Sequence, residues 1–286
     1  MEAGIIGMQL KETIIEPPKR SIPIEWSELW AYRDLFLVMA WRDLSVRYKQ
    51  TLLGILWVIL QPVLTMLVFT FIFNRMAGIQ SGDGTPYPIF LYTGLLLWQY
   101  FSSTVNNSAQ SMVANASLIQ KVYFPRLIIP ATSATTAFVD LAVSSVVLVA
   151  MMLYYGFIPQ LSGVAVIPVL LLVVTLTALG AGLFLASLNV KYRDVRYALP
   201  FFINIGLYIT PVIYPVSMLD RYPAVKTLLV VLNPMAGVIN IARTGLLGSS
   251  AIGWGTLAVS LIVSIIYFLF GLYYFKRTES YFADIA

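Results

Sequence analysis

The stretch LLGILWVILQPVLTMLVFTFIF, Leu52 to Phe73, carries no charge and runs between Lys49 and Arg75. A helix of about 20 mostly apolar residues crosses the hydrocarbon of a bilayer, so this stretch predicts a first transmembrane helix. The rest of the chain agrees. Hydrophobic residues make up 59% of it and charged residues only 11%, against about 25% charged in soluble domains. Apolar material continues along the chain after about residue 50, leaving no room there for a soluble domain.

Working outward, the charge-free run from Gly84 to Gln120 holds a second span at about 89–112. Its later half is small and polar (Ser102, Ser103, Thr104, Asn106, Asn107, Ser108) and should face protein or water. A third span at 131–155 contains one acid, Asp140, and a fourth at 163–188 follows the breaker GFIPQLSG. The fifth is expected at 198–216 and the sixth at 256–275.

Orientation follows from the bases. With six spans, fourteen Lys and Arg fall on the side of the amino-terminal segment, and four (Arg75, Arg221, Lys226, Arg243) fall on the other. Basic loops stay in the cytoplasm, so both termini are expected there. The segment Thr227 to Leu247 is apolar enough for a seventh crossing, but Asn233 and Pro234 break it midway, and a seventh span would put Lys276 and Arg277 outside. The expectation is a re-entrant helix pair within 223–250 that returns to the external face, with Asn233 and Pro234 as external gate candidates. Such a bend is tolerated only where protein or water surrounds it.

Ahead of the first span, Leu29, Trp30, Phe36, Leu37, Ala40, Trp41, Leu44 and Tyr48 recur at helical spacing, with Glu28, Asp34, Arg42 and Asp43 mostly between them. This predicts an amphipathic interfacial helix at about 26–48, lying in the cytoplasmic leaflet. The expected fold is thus an all-α integral membrane protein: a cytoplasmic amino-terminal segment over 1–50, then a transmembrane domain over 51–286 with six helices and the re-entrant pair.

Some chemistry is excluded. There is no Cys and no His, which removes thiolate nucleophiles, imidazole bases and the commonest transition-metal ligands; no metal site and no catalytic residue is expected. Bases sit beside apolar runs, as orientation requires, so nucleic acid is not an expected partner. Met1 to Arg20 has no apolar core and does not read as a secretory signal. No G-x-x-x-x-G-K-[ST] phosphate loop occurs, so no cofactor is expected in this chain.

Inside the spans, Trp57, Gln61 and Thr65 lie four apart on one helix face, and Phe201, Asn204, Tyr208 and Pro211 share another. Amides and hydroxyls beside aromatic rings suit a sugar-lined channel, or equally the packing of helices against each other. Asp140 is the only acid deep within a span, with no intramembrane base to pair with, and is expected to be a satisfied structural acid facing the bundle interior.

Five blocks, in order, resemble the polysaccharide-exporting permeases among type-2 ABC transporters: WRDLSVRYKQTLLGILWVILQPVLTMLVFTFIF (Trp41 to Phe73), LIQKVYFPRLIIP (Leu118 to Pro130), LNVKYRDVRYALPF (Leu188 to Phe201), ITPVIYPVSML (Ile209 to Leu219) and ESYFADIA (Glu279 to Ala286). O-antigen exporter permeases resemble it most, with capsule and teichoic-acid permeases near. The resemblance implies a homodimer in the inner (plasma) membrane that moves a lipid-linked glycan, with two copies of a separate ATPase that bind ATP and Mg. It also implies a coupling role for Leu118, Ile119, Lys121, Val122, Tyr123, Phe124 and Pro125 in one cytoplasmic loop, with Lys191, Arg193 and Arg196 of the next loop contributing to the ATPase or to lipid phosphate. Spans one and five would border the pore. Rival readings are a type-2 permease for another amphipathic substrate, a proton-driven flippase, and a membrane-embedded glycan-lipid enzyme; the last would need grouped acids or bases that this chain lacks beyond its amino-terminal segment.

Overall fold

The computed structural model describes residues 26–49, 54–159, 161–192, 194–248 and 253–279; the sequence expectations for Met1 to Arg20, for Arg193 and for the tail beyond Glu279 lie outside these residues. Every regular element among the described residues is helical. In chain order they are α1 (Trp26–Ala31), α2 (Arg33–Lys49), α3 (Leu56–Phe69) with a π-helical continuation (Thr70–Met76), α4 (Tyr87–Ala114), α5 (Ala116–Lys121) and α6 (Ile128–Tyr155). Then come α7 (Leu161–Lys191), α8 (Val195–Ile209), a 3-10 turn (Val216–Leu219), α9 (Pro223–Leu232), α10 (Pro234–Leu247) and α11 (Trp254–Thr278).

Local chemistry sets the boundaries. α4, α9 and α10 each have Pro in the first turn, where its missing N–H costs nothing. α6 and α10 stop at Gly156 and Gly248, whose φ values of 73° and 76° belong to the left-handed conformation that glycine adopts freely. Pro62, Pro168 and Pro200 sit inside helices, tolerated where neighbouring helices satisfy the freed backbone groups.

Among the described residues, four helices are long and apolar enough to cross a membrane: Leu56–Met76, α6, α7 and α11. The α9–α10 pair would add a fifth if it were straight, but it bends by 97°. The two remaining expected spans differ from expectation for separate reasons. α4 runs for 28 residues but does not count on hydropathy, because its second half is small and polar; its apolar first half is buried among the neighbouring helices and the polar half is only partly covered. α8 has only 15 residues: it ends at Ile209, before Pro211, so the expected helix over 198–216 becomes a shorter helix followed by a non-helical turn.

α4 and α7 form the centre. α7 packs along α4 on one side and α11 on the other, while α6 lies against α4. The α7–α11 approach is close enough that a Cβ on Gly271 would strike the Gly180 carbonyl, and one on Gly163 would strike Gly245 of α10. Small residues at such crossings let backbones meet, the usual basis of helix association in lipid.

The ends of the helices sort into two groups. Met112 of α4, Ile128 of α6, Leu183 and Val190 of α7, and Leu272 and Phe275 of α11 share one apolar cluster with Met39 of α2, Ile119 and Phe124. At the opposite end, Tyr87 of α4 bonds Ile213 after α8, and Met152, Val166, Leu247 and Leu257 join a second cluster. α4, α7 and α11 therefore run in one direction and α6 in the other.

The amino-terminal stretch expected to be helical forms α1 and α2, but its apolar residues do not share one side. Leu29, Phe36, Met39 and Ala40 pack on the bundle, whereas Trp30, Leu37 and Trp41 are exposed on the other side. The helix leans along α6, with Asp43 at Thr132 and Tyr48 at Asp140. It therefore needs apolar residues on both its protein face and its outer face.

Replacing Gly271 or Gly163 by Ala is expected to lower stability by about 1–3 kcal/mol through overpacking. Gly255→Ala, whose Cβ meets nothing within 4 Å, should stay within about 0.5 kcal/mol of the parent. Thermal unfolding in detergent, followed by circular dichroism, measures both.

Candidate functional site

Between α2, α3, α4 and α6 lies a cavity of about 220 Å³. Two of the residues singled out in the first span, Trp57 and Gln61, form its outer wall and are exposed. Opposite them stand Gln99, Tyr100 and Ser103 of α4 and Asp140 and Ser144 of α6, with Arg47 and Tyr48 closing the end. The third member of the α3 face, Thr65, is not part of this wall: its hydroxyl donates to the Gln61 carbonyl of its own helix at 2.8 Å.

Asp140 faces inward as expected, yet it is not isolated. Arg47 Nη2 stands 2.7 Å from its Oδ2, and the Tyr48 hydroxyl donates to its Oδ1. α2 carries both partners up to the level of the acid, a base that hydropathy assigned to the approach helix and not to the span.

From Ser103 a polar stripe continues along α4. Ser102, Asn106 and Gln110 are half-buried, and Gln110 donates to Asn106 at 2.9 Å. Thr104 and Ser108, from the same polar half, are fully buried instead, so that half faces protein on one side and is open on the other. Phe201, Asn204 and Tyr208 lie exposed on α8, with Phe201 edge-on to Phe202 at 5.7 Å. α8 packs on α4 and α7 and α3 on α4 and α6, so the two sets named from the sequence flank α4 and are not brought together in one protomer. Pro211 leaves the helix altogether, in the turn after Ile209.

That turn packs against the bend between α9 and α10. Asn233, at the bend between α9 and α10, accepts from the Met235 N–H at 3.1 Å as the α10 cap, and its Nδ2 donates to the Thr210 hydroxyl at 2.8 Å. Pro234 is buried at the first position of α10. One decisive residue was read from the sequence as an external loop charge. Arg243 is 4% exposed and lies deep in α10. It donates to the carbonyls of Phe90 (3.0 Å), Pro211 (2.8 Å) and Val212 (2.5 Å) and stacks on the Phe90 ring at 3.5 Å. Gly94 leaves the space: a Cβ there would stand 2.5 Å from Nη2. A lone base inside an apolar run is the signal that marks such a residue, and removing it from the external loops makes the charge asymmetry steeper.

At the other end, the loop after α4 divides. Ile119, Phe124 and Pro125 are buried, and Leu118 is half-buried, so these apolar residues seat the loop in the protein and are not free anchors. Lys121, Val122 and Tyr123 form the exposed tip. The Tyr123 hydroxyl donates to Glu28 of α1 at 3.4 Å; partial burial, and then the Glu28 carboxylate, push its phenol above the ordinary range, so it stays a donor. Arg126 donates to the Glu279 carbonyl at the end of α11. Lys191 and Arg196 are exposed beside this end, with Lys191 Nζ 5.9 Å from the Tyr274 ring.

Residues 34–247 match the family described as ABC-2 type transporter. The chain belongs to that family. Among its relatives is the O-antigen export system permease protein RfbA of Klebsiella pneumoniae, 31% identical over 252 residues, which covers 88% of this chain and 95% of the relative. The protein of the same name from Myxococcus xanthus is 30% identical over 212 residues, 74% of this chain and 80% of its own. The polysialic acid transport protein KpsM of Escherichia coli is 25% identical over 207 residues, covering 71% and 77%. The ABC-2 match begins within α2 and ends with α10, so it includes both the cavity and the Arg243 clamp.

Arg243→Met should leave three buried carbonyls without a donor, at about 1–3 kcal/mol for each that finds no water. The expected result is a large drop in thermal unfolding temperature, with Arg221→Met, an exposed base, unchanged.

Proposed function

We propose that this chain is the permease of an ATP-driven exporter of lipid-linked polysaccharide, with O antigen the preferred substrate and capsule or teichoic-acid glycans the near alternatives. The observation that carries the reading is the half-open stripe of amides and hydroxyls on α4, beside Trp57 and Gln61, in a protein whose other outward faces are largely apolar. Polar side chains in a membrane helix face protein or water, not lipid. A wall of amides with aromatic rings offers hydrogen bonds to sugar hydroxyls and flat faces to their C–H surfaces. The names of three of its relatives, which are O-antigen export permeases and a polysialic acid transporter, support the same substrate class.

In this reading six crossings (Leu56–Met76, α4, α6, α7, α8 and α11) make half of the pathway, and a second copy makes the other half, bringing Phe201, Asn204 and Tyr208 of α8 toward the α3 and α4 walls. Both termini lie in the cytoplasm of an inner-membrane protein. Two copies of an ATPase that binds ATP and Mg dock below, on the exposed tip Lys121, Val122 and Tyr123 with Lys191, Arg193 and Arg196 beside it. Above, α9 and α10 cover the external mouth, and Asn233 and Pro234 form the hinge of that cover.

Cells lacking the gene should hold undecorated surfaces and keep lipid-linked glycan on the cytoplasmic leaflet. Reconstituted vesicles should move it only with ATP and the partner ATPase; transport that persists without the ATPase would overturn the proposal. Because the chain has no Cys, single cysteines report cleanly on topology. Arg221→Cys should be labelled from outside intact cells and Tyr123→Cys only after permeabilisation. Labelling of both from one side would sink the six-crossing arrangement. For coupling, Tyr123→Ala with Lys121→Ala should reduce ATPase co-purification without loss of stability. Phe124→Ala should instead cost about 3–5 kcal/mol of stability, as for a buried aromatic.

A further inference from the structure

The cavity between α2, α3, α4 and α6 has a chemistry more specific than a channel wall. We propose that it is a subsite for a single neutral pyranose ring of the glycan, with Asp140 and Gln99 as its principal hydrogen-bonding groups and Trp57 as its stacking face. This rests on the exporter reading above.

Its size comes first. The volume of about 220 Å³ falls below the roughly 300–1,000 Å³ of sites that enclose drug-sized ligands, and suits one sugar ring better than an oligosaccharide or a polyprenyl chain. The lining comes next. Trp57 and Tyr100 supply ring faces, Gln61 and Gln99 supply amides, and Ser103 and Ser144 supply hydroxyls. Of these, Ser144 is committed, since its hydroxyl donates to the Val58 carbonyl at 3.0 Å.

Charge then selects among ligands. Arg47 is the cavity's cation and Asp140 its anion, and they pair at 2.7 Å. A site neutralised in this way gives no net attraction to a phosphate or pyrophosphate. Asp140 still has capacity: an ionised carboxylate offers about four acceptor positions, and Tyr48 and Arg47 occupy one on each oxygen. The remaining positions accept from hydroxyls. Arg47 and Tyr48 are positioning residues that hold the carboxyl group aimed.

The test uses the permease with its ATPase in nanodiscs. Ser103→Cys gives a single thiol in the cavity, and Val122→Cys a control thiol on the exposed loop. Modification by a water-soluble methanethiosulfonate is timed with glucose, galactose, mannose, rhamnose or N-acetylglucosamine at millimolar concentration, with inositol and inorganic pyrophosphate as comparisons. The expected result is that at least one pyranose slows modification at position 103 several-fold, leaves position 122 unchanged, and loses this effect when Asp140→Asn or Gln99→Ala is added. Gln99→Ala keeps the test usable if Asp140→Asn does not fold.

Protection by pyrophosphate and by no sugar would overturn the proposal, as would unprotected modification with all five sugars or a thiol that the reagent never reaches. Glycan export by cells carrying the same variants separates the two readings. Export without sugar protection sinks the subsite alone, whereas surface glycan that persists after deletion of the gene sinks the exporter reading.

Discussion

The buried guanidinium of Arg243 is the constraint on which one end of the molecule depends. After Ile209 the backbone leaves the helix, and five consecutive carbonyls must find donors without a helical ladder. They all do: Ile209 from the Tyr214 hydroxyl, Thr210 from the Val212 N–H, Pro211 and Val212 from Arg243, and Ile213 from the Tyr87 hydroxyl. Non-helical backbone at membrane depth survives only with such complete pairing. Because the guanidinium also reaches the Phe90 carbonyl, the end of α8, the start of α4 and the centre of α10 are fixed against one another. The bend at Asn233 then has one possible place, since its amide holds Thr210 at the head of the same turn.

Much of this was legible in the sequence, and the failures have physical causes. The helices expected as the first, third, fourth and sixth spans appear within a few residues of their expected ends because each is a continuous apolar run, long enough to cross a membrane. The break at Asn233 and Pro234 was legible from proline chemistry. α4 and α8 were less so. The small, polar second half of α4 lowers its hydropathy, and a helix that stops before a proline cannot be told from one that continues when both sides are apolar.

The site was legible in its residue types and not in its partnerships. Trp57 and Gln61 do share a cavity, but the groups that face them come from α4, α6 and α2, far away in sequence. Asp140 was correctly placed as inward-facing; its partners were invisible because Arg47 and Tyr48 belong to a helix that a periodicity argument lays flat on the membrane. The same argument misjudged α2 itself, whose apolar residues serve two surfaces. In the loop after α4, Ile119 and Phe124 looked like anchors for another protein and proved to be anchors for this one.

α1 and α2 are joined without a break in backbone bonding, through Tyr32 N–H to the Glu28 carbonyl and Phe36 N–H to the Tyr32 carbonyl. One end of this rod meets Tyr123 at the tip of the loop after α4, and the other holds Asp140 on the cavity wall. At 1.5 Å per residue a helical rod of this kind spans about 30 Å, which makes it a lever with its load on the carboxylate. Any push on the loop must either bend the rod, break the Tyr123 contact or turn the acid.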